Sequence, residues 1–189
     1  MPYASKLAAL VDYVISSEPS DSHFRAQIKA NAADFDSKKQ AIASIKAQYE
    51  WDDYVAKLNE YLKENPNDTE AWMELGDVYA EKSQYLRALF CYEEVVLLSP
   101  ENDYYFLRLA ELYHTDGGKQ NLAVATKYYS YVVSRNPNNV RALWGLWRNL
   151  HEQRSGLEEH DLELMERTKD AIHKIYSKKN PKLKIHLAF

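Results

Sequence analysis

Apolar and small residues recur along this chain at helical spacing. Within residues 69–102, Trp72, Leu75, Gly76 and Tyr79 stand on one helical face, three, one and three residues apart. A polar turn follows at Lys82-Ser83-Gln84, and the face resumes with Ala88, Tyr92 and Val95. Pro100 closes it, because proline lacks an N–H and biases the residue before it away from helix. Residues 103–139 repeat the pattern with Phe106, Leu109, Ala110 and Tyr113, then Ala125, Tyr129 and Val132, then Pro137. Each copy predicts a pair of amphipathic helices. Three corners punctuate them: Asn65-Pro66-Asn67-Asp68, Ser99-Pro100-Glu101-Asn102 and Asn136-Pro137-Asn138-Asn139. Their prolines lie 34 and then 37 residues apart. A helical pattern of that period predicts stacked hairpins, each burying its apolar face only against a neighbour. The other reading is four unrelated amphipathic helices in a globular bundle. The two copies agree in register at their small positions as well as their large ones, and this favours the repeat.

The succession of Trp72, Leu75-Gly76, Tyr79, Ala88, Tyr92, Val95 and Pro100 resembles the tetratricopeptide repeat (TPR). That resemblance implies an all-α solenoid of helical hairpins with a concave groove suited to binding. Gly76 and Ala88 are small where the helices of one hairpin come closest. In the second copy the turn is longer, within residues 115–121, and Gly117-Gly118 can take positive φ and interrupt the helix there. A third copy begins at Val140 with Leu143 and Leu146. Trp147 then stands where Gly76 and Ala110 stood, so this hairpin is expected to depart from standard close packing. Upstream, Trp51, Tyr54, Leu58 and Tyr61 read as the second helix of an earlier hairpin. Its first helix is expected over about 35–48, with Ala41, Ile42 and Ile45 inward. The expected organisation is an N-terminal helical segment over 1–34 and a TPR array over 35–153. The array's hairpins fall at about 35–68, 69–102 and 103–139, with an atypical one at 140–153. A capping helix over 154–178 and a basic tail over 179–189 complete it. Leu162, Met165, Ile172, Ile175 and Tyr176 form the stripe by which the capping helix would pack.

Composition narrows the function. Apolar residues are 46% of the 189 and charged residues 28%, which fits a packed fold rather than disorder. The net charge of −4 gives no bulk attraction to nucleic acid. One cysteine, Cys91, excludes an intramolecular disulfide and fits a reducing compartment. No stretch approaches eighteen consecutive apolar residues, so no membrane span is expected. Residues 3–15 carry Leu7, Leu10, Val11 and Val14 on one face, but Asp12 interrupts any signal-peptide core. The six histidines show no metalloprotease spacing, and His160, Asp161 and Glu163 read as one solvated helical turn. Gly117-Gly118 lacks the following Gly-Lys-Ser/Thr of a phosphate loop. No cofactor, metal site or catalytic residue is therefore expected, and the chain is read as a non-enzyme.

In a TPR array the first helix of each hairpin lines the groove. The groove candidates are Glu70, Met73, Asp77 and Glu81, then Tyr104, Leu107, Glu111 and His114, then Arg141, Trp144, Arg148 and His151. They run from acidic to basic, with Tyr104, Leu107 and Trp144 as apolar anchors. Aromatics and arginine are the residue types that dominate binding hot spots. Trp144 has a second reading, as a residue packed against the following helix. TPR domains that clamp the C-terminal carboxylate of heat-shock chaperones use Lys and Asn here, whereas Glu70, Asp77 and Glu81 would repel it. The tail with Lys178, Lys179, Lys182 and Lys184 could meet a partner or an anionic lipid surface, or stay solvated.

Some stretches are more specific than the generic repeat. They are Leu58-Asn59-Glu60-Tyr61-Leu62, the run Ala71-Trp72-Met73-Glu74-Leu75-Gly76-Asp77-Val78-Tyr79 with Ala88-Leu89-Phe90-Cys91-Tyr92, and the Gly117-Gly118 turn. Arg141-Ala142-Leu143-Trp144-Gly145-Leu146 is another. Together they are similar to subunit 2 of the endoplasmic reticulum (ER) membrane protein complex, across about 35–150. That resemblance implies a non-catalytic scaffold, peripheral on the cytosolic face of the ER membrane. It would organise the cytosolic parts of an insertase's membrane subunits, assisting insertion of tail-anchored and multi-spanning proteins. A free cytosolic TPR adaptor that binds a peptide in its groove is the alternative. The family carries further hairpins on its N-terminal side, whereas residues 1–34 lack the repeat pattern. The chain is therefore expected to be shortened there, without the partner sites those hairpins carry.

Overall fold

A computed structural model describes residues 51–179 together with Ser37. The chain divides into two compact units, Met1–Pro66 and Asn67–Phe189. The expected helices over 3–15 and 35–48, and the tail from residue 180, lie outside the described residues, apart from helical Ser37. In the first unit, α1 (Trp51–Glu64) buries Tyr54, Leu58, Tyr61 and Leu62, which are three or four residues apart along one face.

The second unit contains six α-helices among its described residues. These are α2 (Thr69–Glu81), α3 (Tyr85–Leu98), α4 (Asp103–Asp116), α5 (Gly118–Arg135), α6 (Val140–Glu152) and α7 (Glu159–Lys179), with a 3-10 turn at Arg154–Gly156 before the last. Within this unit each helix packs on its neighbours in sequence, and α4 also touches α6. The all-α hairpin solenoid read from the spacing is the architecture observed.

The corners show why each hairpin starts where it does. The residue two places after each proline caps the next helix. Asp68 accepts hydrogen bonds from the backbone of Glu70 and Ala71, Asn102 from Tyr104, and Asn139 from Ala142. These side chains satisfy amide donors that a helix start leaves without partners, each cap contributing about 1 kcal/mol. Gly117 and Gly118 adopt φ of 76° and 80°. This left-handed backbone lets α4 stop and α5 begin without a linker.

Among the described residues, two apolar clusters lie in the interior of the second unit. One joins Ala88, Leu89, Tyr92 and Val95 of α3 to Leu109 and Leu112 of α4. The other joins Leu107 and Ala110 of α4, Ala125, Tyr129 and Val132 of α5, Ala142, Leu146 and Leu150 of α6, and Met165 of α7. Of the expected α7 stripe, Met165 and Ile172 are buried and Ile175 and Tyr176 half-buried, while Leu162 is exposed and Thr168 joins the buried face.

Cys91 is buried on α3, and desolvation pushes its thiol up to about 12. The thiolate is the reactive form, so the native chain is expected to resist Ellman's reagent and to release one equivalent only in guanidinium. Reaction at the native rate of an exposed thiol would show that α3 opens locally.

Candidate functional site

The first helices of the hairpins, α2, α4 and α6, carry the groove candidates. Several are joined to one another. Asp77 on α2 accepts hydrogen bonds at Oδ1 from the Tyr92 hydroxyl at 2.7 Å and from Arg108 Nη2 at 3.0 Å. Arg108 also reaches Glu111 at 3.4 Å within α4. Glu111 in turn receives Arg141 of α6 on both oxygens, at 2.5 and 2.7 Å. The result is a ladder of alternating charge, Asp77–Arg108–Glu111–Arg141, across three consecutive first helices. Two-pronged guanidinium–carboxylate pairing fixes geometry as well as charge.

The environment of the ladder reinforces its charges. Burial works against the Arg108 cation, but hydrogen bonds with Tyr92 and Asp77 outweigh it and raise the Arg108 pKa. Burial raises the Tyr92 phenol, and the hydrogen bond to Asp77 adds to this. The hydrogen bond to Glu111 raises Arg141. Arg108 was not among the residues the sequence singled out. Its position falls beside the groove stripe rather than on it, and only the length of its side chain brings it in.

The other candidates are distributed differently. Tyr104 is 47% exposed, its ring set edge-on to Tyr105 at 5.9 Å. Glu81 and Arg148 are exposed, Glu70 is half-buried in the first turn of α2, and Met73 packs partly against the first apolar cluster. Leu107 corrects the expectation of an apolar anchor. It is 4% exposed and belongs to the second cluster with Ala142 and Leu146, so it presents no surface to a ligand. The small Ala142 side chain lets α6 sit close over it. Trp144 follows its second reading: its indole N–H donates to the Tyr176 hydroxyl at 3.3 Å, and its ring meets Tyr176 and Trp147 edge-on.

His114 is drawn into a buried polar knot. Its Nδ1 lies 2.8 Å from Oδ1 of Asn149, which is 0% exposed. The Asn149 amide donates to the Leu122 carbonyl at 2.9 Å and to Thr126 Oγ1 at 2.7 Å. A carbonyl can only accept, so the amide is oriented with its nitrogen toward Leu122. The His114 Nδ1–H is then the donor to the Asn149 oxygen. His151 stacks on Trp147 at 5.1 Å.

Among the described residues no group of three or more His, Cys, Asp or Glu is placed to hold a metal. No helix there is long and apolar enough to cross a membrane. The arrangement is a polar surface braced by internal ion pairs.

Residues 6–130 match the EMC2 TPR-like repeat domain. The chain belongs to the EMC2 family. The match begins well before residue 35, so the N-terminal segment that lacks a legible repeat pattern falls within the family's domain. The EMC2-family chain is 41% identical over 110 residues to ER membrane protein complex subunit 2-A of Xenopus laevis, covering 58% of this chain and 37% of that protein. It is 29% identical over 178 residues to ER membrane protein complex subunit 2 of Dictyostelium discoideum, covering 87% of this chain and 55% of that protein. The EMC2-family chain thus spans between just over a third and just over half of these two relatives. Among solved structures, MamA superposes with a TM-score of 0.60 at 14% identity, over 84% of this chain and 86% of MamA. YrrB, a TPR protein with an unusual peptide-binding site, superposes with a TM-score of 0.56 at 18% identity, over 85% of each chain. At such identities the likeness is one of fold.

Proposed function

We propose that the chain is a non-catalytic scaffold subunit of an ER membrane protein complex. It sits on the cytosolic face of the membrane and attaches through partner subunits. It organises their cytosolic segments and so assists insertion of tail-anchored and multi-spanning proteins. The observation that carries this reading is the family match, joined to relatives named as subunit 2 of that complex. The geometry is in keeping with it, since a braced array presents a fixed surface to several partners at once. Tyr104 and Arg148 are assigned to partner contact, flanked by Glu70, Met73 and Glu81. The Asp77–Arg108–Glu111–Arg141 ladder holds the helices that carry them in register.

The test is affinity purification of the tagged chain from gently solubilised ER microsomes, with quantitative mass spectrometry of what co-purifies. Multi-spanning ER proteins in fixed ratio are the expected result. Soluble partners alone would point to the free adaptor and overturn the scaffold reading. In the same assay, Arg141→Glu sets a second carboxylate against Glu111 and breaks the ladder at α6. Recovery of partners is expected to fall roughly tenfold, through loss of the register that positions Tyr104 and Arg148, with helicity unchanged. Unchanged recovery would show that the ladder is not needed to hold the contact residues in register.

A further inference from the structure

The outward side of α3 carries three large apolar residues in line. Leu86 and Leu97 are each 74% exposed and Phe90 is 55% exposed. Their spacing puts all three within one narrow face over three turns, a strip about 16 Å long. The repeat supplies an internal control. At the equivalent places on α5 stand Ala123, Lys127 and Ser134, all exposed. The same fold position tolerates small and polar residues one repeat later, so the hairpin does not require the apolar strip. Three exposed apolar residues along one helix form a patch of the kind that marks an interaction site.

Charge around the strip selects the partner. Glu93 and Glu94 lie between Phe90 and Leu97, each one helical turn from both. One Glu93 oxygen accepts from the Tyr113 hydroxyl at 2.5 Å. Both acids stand toward the C-terminal end of α3, where the helix dipole is already negative, and the last turn holds no basic residue. The nearest cation along the face, Arg87, is turned aside, donating to Gln84 at 3.0 Å and lying over the Tyr79 ring. An apolar strip with acid set between its last two apolar residues complements an apolar face edged with basic residues.

We infer that the outward face of α3 docks an amphipathic helix of a partner protein, with Leu-type residues on one side and Lys or Arg along its edge. Helix-on-helix recognition reads apolar anchors on one face of each helix; here Leu86, Phe90 and Leu97 supply i, i+4 and i+11, with Glu93 at i+7. This surface is separate from the groove lined by α2, α4 and α6, and the inference does not depend on the scaffold reading.

The test uses the full chain and a fluorescein-labelled fifteen-residue synthetic helix, with leucines at i, i+4, i+7 and i+11 and lysines beside them. Binding is followed by fluorescence anisotropy. The chain is expected to bind this helix saturably, and to bind a version with glutamates in place of the lysines at least tenfold more weakly. Leu86→Glu with Leu97→Glu removes two highly exposed side chains from the strip and is expected to cost at least tenfold in Kd with circular dichroism unchanged. A charge swap at Glu94→Lys and Glu93→Lys is expected to invert the preference toward the glutamate helix. Equal binding of a scrambled lysine peptide, or an unchanged Kd in the leucine variant, would overturn the proposal. So would sedimentation showing a dimer that the leucine variant dissociates, since the occupant is then a second copy. Flotation with anionic vesicles that depends on the strip, without peptide binding, would assign it to lipid and overturn it equally.

Discussion

Gly145→Val is expected to lower the thermal midpoint by roughly 5–10 °C, corresponding to a loss of about 2–3 kcal/mol. A Cβ at Gly145 would lie 2.6 Å from Cζ and 3.0 Å from Cδ1 of Tyr129. Tyr129 is a core residue of the second apolar cluster, with α4, α6 and α7 around it. Its ring is a rigid body rather than the far end of a flexible chain, so the helices must separate. Helix propensity pulls the other way, because glycine inside a helix is about 1 kcal/mol worse than alanine. The contact distances decide that overpacking wins. Gly156→Ala serves as a control, since nothing lies within 4 Å of the added atom. A calorimetric scan distinguishes the two, and an unchanged midpoint for Gly145→Val would mean that α6 can slide away from α5 at little cost.

Asn149→Leu is expected to be as damaging, at about 2–4 kcal/mol, although it replaces a polar residue by an apolar one at a fully buried site. The reason is that its partners stay behind. Thr126 loses a donor, and the His114 Nδ1–H loses its acceptor. A buried polar group left without a partner costs about 1–3 kcal/mol, more than the apolar gain from the leucine returns. Urea unfolding measures the difference. A neutral or stabilising result would show that His114 and Thr126 find water, and that the knot does not fix the approach of α6 to α4 and α5.

Much of this fold is written in residues that act locally. Proline corners, the Asp68, Asn102 and Asn139 caps and the Gly117-Gly118 interruption each depend on backbone chemistry within a few positions, so spacing alone exposes them. What escapes the one-dimensional pattern depends on which helix lies opposite. Trp147 stands where a small residue was expected and is accommodated partly buried, its indole N–H finding no acceptor among the described residues. The close approach has moved to Gly145, which meets the preceding hairpin rather than its own. Leu107 shares its register with Met73 and Trp144, yet only Leu107 is closed over, because Ala142 is small. The pairing of Arg108 with Asp77 spans 31 positions of sequence, and no periodicity points to it. Asn149 stands at an apolar-face position, three residues after Leu146 and beside Leu150, but spacing does not name the His114, Leu122 and Thr126 partners that satisfy it there.

The corner caps have a consequence for how such an array can change length. The second hairpin has a longer second helix than the first, 18 residues against 14, and its prolines stand farther apart. Yet α6 begins on Asn139 as α4 begins on Asn102, two places after proline. Each corner resets the rotational phase of the chain, so a length error made inside one hairpin is discharged there and never reaches the next. Extra residues are therefore taken up within the hairpin, here by the longer α5, while the corners keep time. The solenoid can lengthen one repeat without turning its neighbours' faces away from one another.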